Sequence, residues 1–228
     1  MVNQEKIMEN MISFPIFAGI DEENLVSLLQ CLGYHLEKYK KGDLIYLEGE
    51  HLHNLGIIVS GSVDMIKEDV WGNKTIVIRM SSPALFGETF ICGSNSVAAV
   101  SFEAIEDTTV MFIPFQRVIN SCSNACIFHH RLIENMIQLI ADKNLMLMHK
   151  MEVVTKKTLK EKIMAYLSQQ AQIKDTEYFE IPLNRTELAE FLCADRSALT
   201  RELSNMKKEG IIDYDKNVFR LITAKKML

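Results

Sequence analysis

Arg196, Ser197, Thr200 and Arg201 fall on the outer side of one helix start, and this set of side chains can read the edges of bases. A guanidinium donates two parallel hydrogen bonds to guanine O6 and N7, while a hydroxyl serves either base type. The surrounding segment is ordered for that use. Leu188, Ala189 and Leu192 share one face of a first helix, and Cys193-Ala194-Asp195 makes a tight turn. Asp195 is placed to cap a second helix, because its carboxylate can accept the orphan N–H groups there. Ala198, Leu199, Leu203 and Met206 lie on the inner side of that helix, which runs to about Glu209 and stops at Gly210. Ile211–Asp213 and Val218–Leu221 can pair as a hairpin wing with Lys216 at its tip. In a helix-turn-helix the N-terminal residues of the second helix meet base edges in the major groove. A helical hairpin with a solvated basic face is the competing reading, and the ordered set of cap, turn, outward polar residues, glycine stop and wing argues against it.

Other chemistries find less support. The chain has no Gly-rich phosphate loop, no HExxH, no GxSxG and no triad, so an enzyme is not expected. Five cysteines without a secretion signal do not suggest a disulfide framework. Cys122 and Cys126 are the one close pair, a weak metal signal; small buried hydrophobes are the expected role, and no metal site is expected. His35, His51, His53, His129, His130 and His149 have no partner identifiable from spacing and read as surface or packing residues. The sequence requires no cofactor and leaves haem open. Charge is uneven: Thr155–Leu228 holds 14 Lys and Arg against 11 Asp and Glu, within totals of 25 and 30. A basic C-terminal part behind an acidic body suits nucleic-acid contact by that part alone.

The elements that must position these residues read as follows. A chain of 228 residues suggests two domains. No apolar run approaches the roughly 18 residues of a membrane span, and the start lacks a signal-peptide core, so a cytoplasmic protein without membrane contact is expected. Asp21 caps a helix carrying Leu25, Leu28, Leu29 and Leu32, ending near Gly33. Short strand-like runs follow at Leu44–Leu47, Gly56–Ser60, Val63–Lys67, Lys74–Met80, Val97–Ala104 and Thr108–Ile113, with a tight hairpin at Trp71-Gly72-Asn73-Lys74. From Asn124 to Val154 the pattern turns helical, roughly 30 residues or a rod near 45 Å. Ile133, Ile137, Ile140, Asn144, Leu147, Met151 and Val154 alternate spacings of four and three, an a/d seam with Asn144 at an a position. Such a seam favours a parallel two-stranded pairing and hence a homodimer. Thr155-Lys156-Lys157-Thr158 is a candidate hinge, followed by a helix over Leu159–Ala171 and a short strand at Tyr178–Ile181.

With these pieces in order, the sequence resembles the Crp/Fnr family, the cyclic-AMP receptor and fumarate-nitrate regulators, over nearly its whole length. Pro15-Ile16-Phe17-Ala18-Gly19-Ile20, Lys41–Glu50, Val59–Val63, Phe86-Gly87-Glu88 and the segment 184–221 carry the resemblance. It implies an α+β chain: a β-roll sensor domain over 1–122, a dimerisation helix over 123–154, and a winged helix-turn-helix over 155–228. It implies a DNA-binding transcription regulator on an inverted-repeat operator, meeting RNA polymerase if it activates. Arg196, Ser197, Thr200 and Arg201 would face bases; Arg185, Thr186 and Lys216 would meet phosphates. Gly87, Glu88, Leu147 and Met148 become candidates for the effector pocket. Departures are equally informative. The family's nucleotide-binding members continue Phe-Gly-Glu to an Arg that neutralises the cyclic phosphate, whereas Asn95–Val100 holds no basic residue. Leu147-Met148 stands near where a polar pair would read adenine. An effector other than cyclic AMP is therefore expected, with haem- or thiol-based sensing as alternatives and a nucleotide-binding module acting on a protein partner behind them. The iron–sulfur branch needs cysteines near its N-terminus, and none precedes Cys31. Where the receptor branch reads Arg-Glu-x-x-x-Arg, this chain has Ser197 in place of Glu, which removes a cytosine preference.

Overall fold

The computed structural model describes residues 11–120 and 127–222; Cys122 and Cys126 lie outside the described residues. The contacts divide the chain into two compact units, one of residues 1–72 and 77–144 and one of 73–76 and 145–228. The long helix crosses from one to the other.

In the first unit a 3₁₀ turn at Pro15–Phe17 leads to helix α1, Glu22–Leu32. Asp21 caps it, accepting from Asn24 N at 3.0 Å, and Gly33 ends it in the left-handed region at φ 62°. Two four-stranded antiparallel sheets follow. One has the order β1-β8-β3-β6, with β1 His35–Tyr39, β3 Asn54–Ser60, β6 Ala84–Phe86 and β8 Thr108–Pro114. The other has the order β2-β7-β4-β5, with β2 Leu44–Tyr46, β4 Ser62–Glu68, β5 Lys74–Ser81 and β7 Ser101–Ala104. Aromatic rings join the sheets: Tyr46 and Phe102 from one meet Phe86 and Phe112 from the other at centroid distances of 5.1–6.3 Å. This is the expected roll. Two of its strands, β1 and β6, were not anticipated, and Val97–Ala104 shortens to Ser101–Ala104. The β4–β5 turn sits earlier than expected, closed by the Gly72 N–H donating to Asp69 O at 3.0 Å. Short helices α2, Glu88–Ile91, and α3, Phe115–Ile119, complete the roll.

Helix α4 spans Ile127–Val154. Leu132 and Met136 join the first unit's core beside Phe14, Phe17, Leu29 and Ile113. The buried Asn135 amide donates to the Ile16 and Ala18 carbonyls at 3.0 and 2.9 Å, which ties the helix to the entry turn. In the second unit Val153 is buried among Ile163, Leu167, Leu188, Leu199 and Phe219. Helix α5, Leu159–Lys174, starts with a reciprocal cap between Thr158 and Glu161. Helices α6, Arg185–Leu192, and α7, Arg196–Lys208, are followed by β10, Ile212–Asp215, and β11, Val218–Leu221. A third strand, β9 Phe179–Glu180, pairs with β11 and widens the expected two-stranded wing.

Gly61 joins β3 to β4 at φ 89°, and a Cβ there would lie 2.7 Å from the Asp107 carbonyl oxygen and 2.8 Å from Thr108 Cα. Both the dihedral and the space exclude a side chain. Gly61→Ala should destabilise the roll by about 2–4 kcal/mol, the sum of left-handed backbone strain and overpacking. A denaturant melt in which the roll transition does not move would refute this.

Candidate nucleic-acid interface and sensor pocket

The candidate reading face is built from two caps. Asn184 Oδ1 accepts from Thr186 N at 2.9 Å and Glu187 N at 3.1 Å, while the Glu187 carboxylate accepts from Asn184 N–H at 2.7 Å. This reciprocal box starts α6. Cys193 ends it at φ 51°, and the turn delivers Asp195. The Asp195 carboxylate accepts from Ser197 Oγ at 2.5 Å and from Ala198 N at 2.9 Å. These bonds, the Ser197 one foremost, hold its carboxyl below the usual range. Leu199, Leu203 and Met206 are at most 1% exposed and seat α7 in the core. Arg196, Ser197, Thr200 and Arg201 are all exposed on the opposite side, so the structure brings the four expected residues together.

Their donors are unequally committed. Thr200 Oγ1 donates to Arg196 O at 2.9 Å, and Ser197 Oγ donates to Asp195. Both hydroxyls therefore present lone pairs outward, suited to accept from an amino group. Arg196 and Arg201 make no ion pair among the described residues; the Arg201 charge acts on Asp195 only as the smallest of the causes that lower its carboxyl.

Other cations of this unit are held internally. Lys207 pairs with Asp213 at 2.7 Å, and Arg220 with Glu177 at 2.7 Å. Arg185 donates to the Lys216 carbonyl and stacks over Tyr214 and Phe219, with its guanidinium carbon 5.0 and 4.9 Å from their ring centres. Burial lowers the Arg185 pKa, and its Nη1 has no hydrogen-bond partner among the described residues. Arg185 thus braces the wing. Thr186 is exposed, and Lys216 stands exposed at the wing turn at φ 49°.

In the roll, Gly87 turns the chain at φ 85° into Glu88, which is 1% exposed. Its Oε1 accepts from the Lys143 ammonium at 2.7 Å and from Thr89 Oγ1 at 3.2 Å, while Oε2 has no partner among the described residues. Lys143 also donates to Leu85 O at 2.5 Å. A second inward pair joins Arg79 to Asp64 through two bonds of 2.8 Å, with side chains 11% and 2% exposed. Leu147 is half-buried and Met148 is 59% exposed. Lys143 and Arg79 were missed from sequence. The available signal was a lone charge inside an apolar run, as in Ile78-Arg79-Met80 and Val63-Asp64-Met65.

Among the described residues no group of three or more His, Cys, Asp or Glu is placed to hold a metal ion. Cys31, Cys92 and Cys193 are in no disulfide, and burial, then the Glu88 charge, pushes Cys92 up, away from the reactive thiolate. His129 is 1% exposed, and neither ring nitrogen has a hydrogen-bond partner among the described residues. No helix of the described residues is long and apolar enough to cross a membrane.

A two-sheet roll in one unit and a capped helix-turn-helix with a wing in the other define a sensor-linked DNA-binding regulator. Comparisons with known proteins agree. Residues 36–124 match the cyclic nucleotide-binding domain family, and residues 161–227 match the Crp-like helix-turn-helix domain family. Similar solved structures include FixK2 from Bradyrhizobium japonicum, at 19% identity over 82% of this chain and 92% of that one, with a TM-score of 0.63. The global regulator CLP of Xanthomonas campestris, described as responsive to c-di-GMP, aligns at 15% identity over 86% and 98%, with a TM-score of 0.71. A CooA mutant from Carboxydothermus hydrogenoformans aligns at 18% identity over 88% of both chains, also at 0.71. A curated relative, cyclic GMP-binding protein C of Dictyostelium discoideum, is 32% identical over 77 residues, which span 34% of this chain and 3% of that protein. The chain belongs to the Crp/Fnr family of DNA-binding transcription regulators.

The two caps should respond differently to acid. Asp195 has a lowered pKa, so its contribution is present above the ordinary carboxylate range and is lost as pH falls through the lowered value. The gap in Tm between Asp195→Ala and the unaltered chain should be open at neutral pH and close below about pH 4. Asn184→Ala should cost about 1 kcal/mol, and that cost should persist through the same range. Parallel thermal melts across pH check both, and an Asp195→Ala gap that survives in acid contradicts the assignment.

Proposed function

We propose that the chain acts as a homodimer in the cytoplasm, reads an inverted-repeat operator in double-stranded DNA, and takes its signal in the roll from an effector other than cyclic AMP. The observation that carries the reading is the capped α7, which holds Arg196, Ser197, Thr200 and Arg201 together on an exposed face. Arg185, Thr186 and Lys216 flank that face and are the proposed phosphate contacts, with Arg185 also bracing the wing. As an activator the dimer would meet RNA polymerase beside its operator.

The proposed dimer forms through the parallel seam Ile133, Ile137, Ile140, Asn144, Leu147, Met151 and Val154, within a dimerisation helix of residues 123–154. In a single chain Ile137 and Met151 are 59% and 64% exposed. Apolar area left in water is unfavourable by about 25 cal/mol per Å², so such a stripe favours pairing. Asn144 is exposed on the same line and would select two strands.

The effector reading rests on charge. Gly87, Glu88, Leu147 and Met148 are the proposed pocket residues. Lys143 and Arg79, the inward cations, each already face a carboxylate. A cyclic phosphate buried against neutralised pairs would be penalised by several kcal/mol.

Two experiments test the function. In selection from random duplexes, the protein should enrich inverted half-sites about one helical turn, roughly 34 Å, apart. Arg201→Ala should weaken binding by about 1–3 kcal/mol and flatten preference at one base pair. Lys216→Ala should leave the motif intact and lower the salt slope by roughly one. An unchanged motif in Arg201→Ala would remove it from the reading face. In sedimentation the chain should be a dimer at micromolar concentration, Ile137→Asp with Ile140→Asp should give monomers, and Asn144→Ile should tighten association while loosening its stoichiometry. A monomeric unaltered chain would end the dimer proposal.

A further inference from the structure

Helix α4 is fixed to the roll by a charge. Lys143 lies on the helix, Leu85 on β6 and Glu88 at the start of α2, all within the first unit. β6 is the edge of its sheet, hydrogen-bonded on one side to β3. The Lys143 ammonium donates to the Leu85 carbonyl of that edge strand at 2.5 Å and to Glu88 Oε1 at 2.7 Å. The two side chains of the ion pair are 11% and 1% exposed. Removing either partner strands the other's charge away from water, which is far costlier than losing a surface pair. The fully buried apolar contacts of the helix, Leu132 and Met136, lie seven or more residues before Lys143, and the nearer ones, Leu139 and Ile140, are only partly buried. The pair is therefore the most deeply buried attachment that the middle of the helix makes to the roll.

We propose that Lys143–Glu88 is a latch: a tethered cation of the chain itself clamps α4 onto the β6–α2 corner with no small molecule required, and signals act by withdrawing the ammonium from Glu88. Glu88 Oε2 marks where the latch can be opened. It is buried and without a partner among the described residues, so a donor arriving there competes with Lys143 for the same carboxylate. Asn144 follows Lys143 directly, so the latch also sets the rotation of the proposed seam at its polar position. This last consequence rests on the dimeric DNA-binding reading above; the latch itself does not.

Hydrogen exchange on the full chain tests it. Lys143→Met keeps the length of the side chain and removes its charge, and Glu88→Gln does the converse. Either should speed amide exchange over residues 139–147 by about a hundredfold while leaving residues 185–208 unchanged, and the double variant should be no faster than the singles. In Lys143→Ala, added n-propylammonium should restore protection, and in Lys143→Ala with Glu88→Gln it should not. Such rescue separates a charge at this spot from general loss of packing. Cyclic AMP should leave exchange of the unaltered chain as it is. Unchanged exchange in Lys143→Met, or rescue independent of Glu88, overturns the latch. Faster exchange together with undiminished affinity for the selected duplex overturns its link to DNA binding, for which a drop of about tenfold is expected in Lys143→Met. Failure of the unaltered chain to select any duplex would count against the function proposed above and leave the exchange result standing.

Discussion

Twenty-eight residues of α4 have to satisfy neighbours on several sides at once. Leu132 and Met136 belong to one core, Val153 to the other, and Asn135 and Lys143 make polar attachments to the roll. What is left uncovered is a line containing Ile137, Met148 and Met151. A helix this long is continuous in its own hydrogen bonds, so its residues cannot change faces independently. Fixing one turn through a buried contact fixes the direction of the following turns as well. Within the first unit the apolar contacts and the polar attachments of the helix are therefore consequences of a single rotational setting.

Charge within the DNA-binding unit illustrates how little a net count says. The basic excess from Thr155 onward is small, and Lys160, Arg185, Lys207 and Arg220 are all tied to partners inside the chain. Exposed pairs of this kind contribute little stability each, yet they withdraw cations from the surface. Arg196, Arg201 and Lys216 remain turned outward. The positive charge this unit presents thus depends on which cations stay outside internal pairs rather than on how many there are.

Local chemistry was legible in the sequence and long-range pairing was not. The caps at Asp21 and Asp195 and the stops at Gly33 and Gly210 follow from orphan backbone groups that lie within four residues, and each stands as expected. The edge strand Ala84–Phe86 is three residues long, too short for a periodic signal, and exists through a partner far along the chain; the short strand expected at Tyr178–Ile181 stands as Phe179–Glu180, but its pairing with β11 was not read. β1 reads His-Leu-Glu-Lys-Tyr, mostly polar because it too is an edge. The candidate site divides the same way. The shared exposed face of the four residues proposed to meet bases was legible because helix periodicity sets their direction, whereas Lys143 and Arg79 were passed over because their value depends on carboxylates 55 and 15 residues away.

The wing turn holds a lysine where backbone geometry would prefer glycine. Lys216 sits at φ 49°, a conformation that costs an L-residue roughly 1–2 kcal/mol. Glycine there would make a more stable hairpin and present one positive charge fewer. The turn is accordingly a place where foldability and surface potential pull in opposite directions, and the residue found there sides with potential. A stabilised version of this chain designed from backbone preferences alone would begin by removing it.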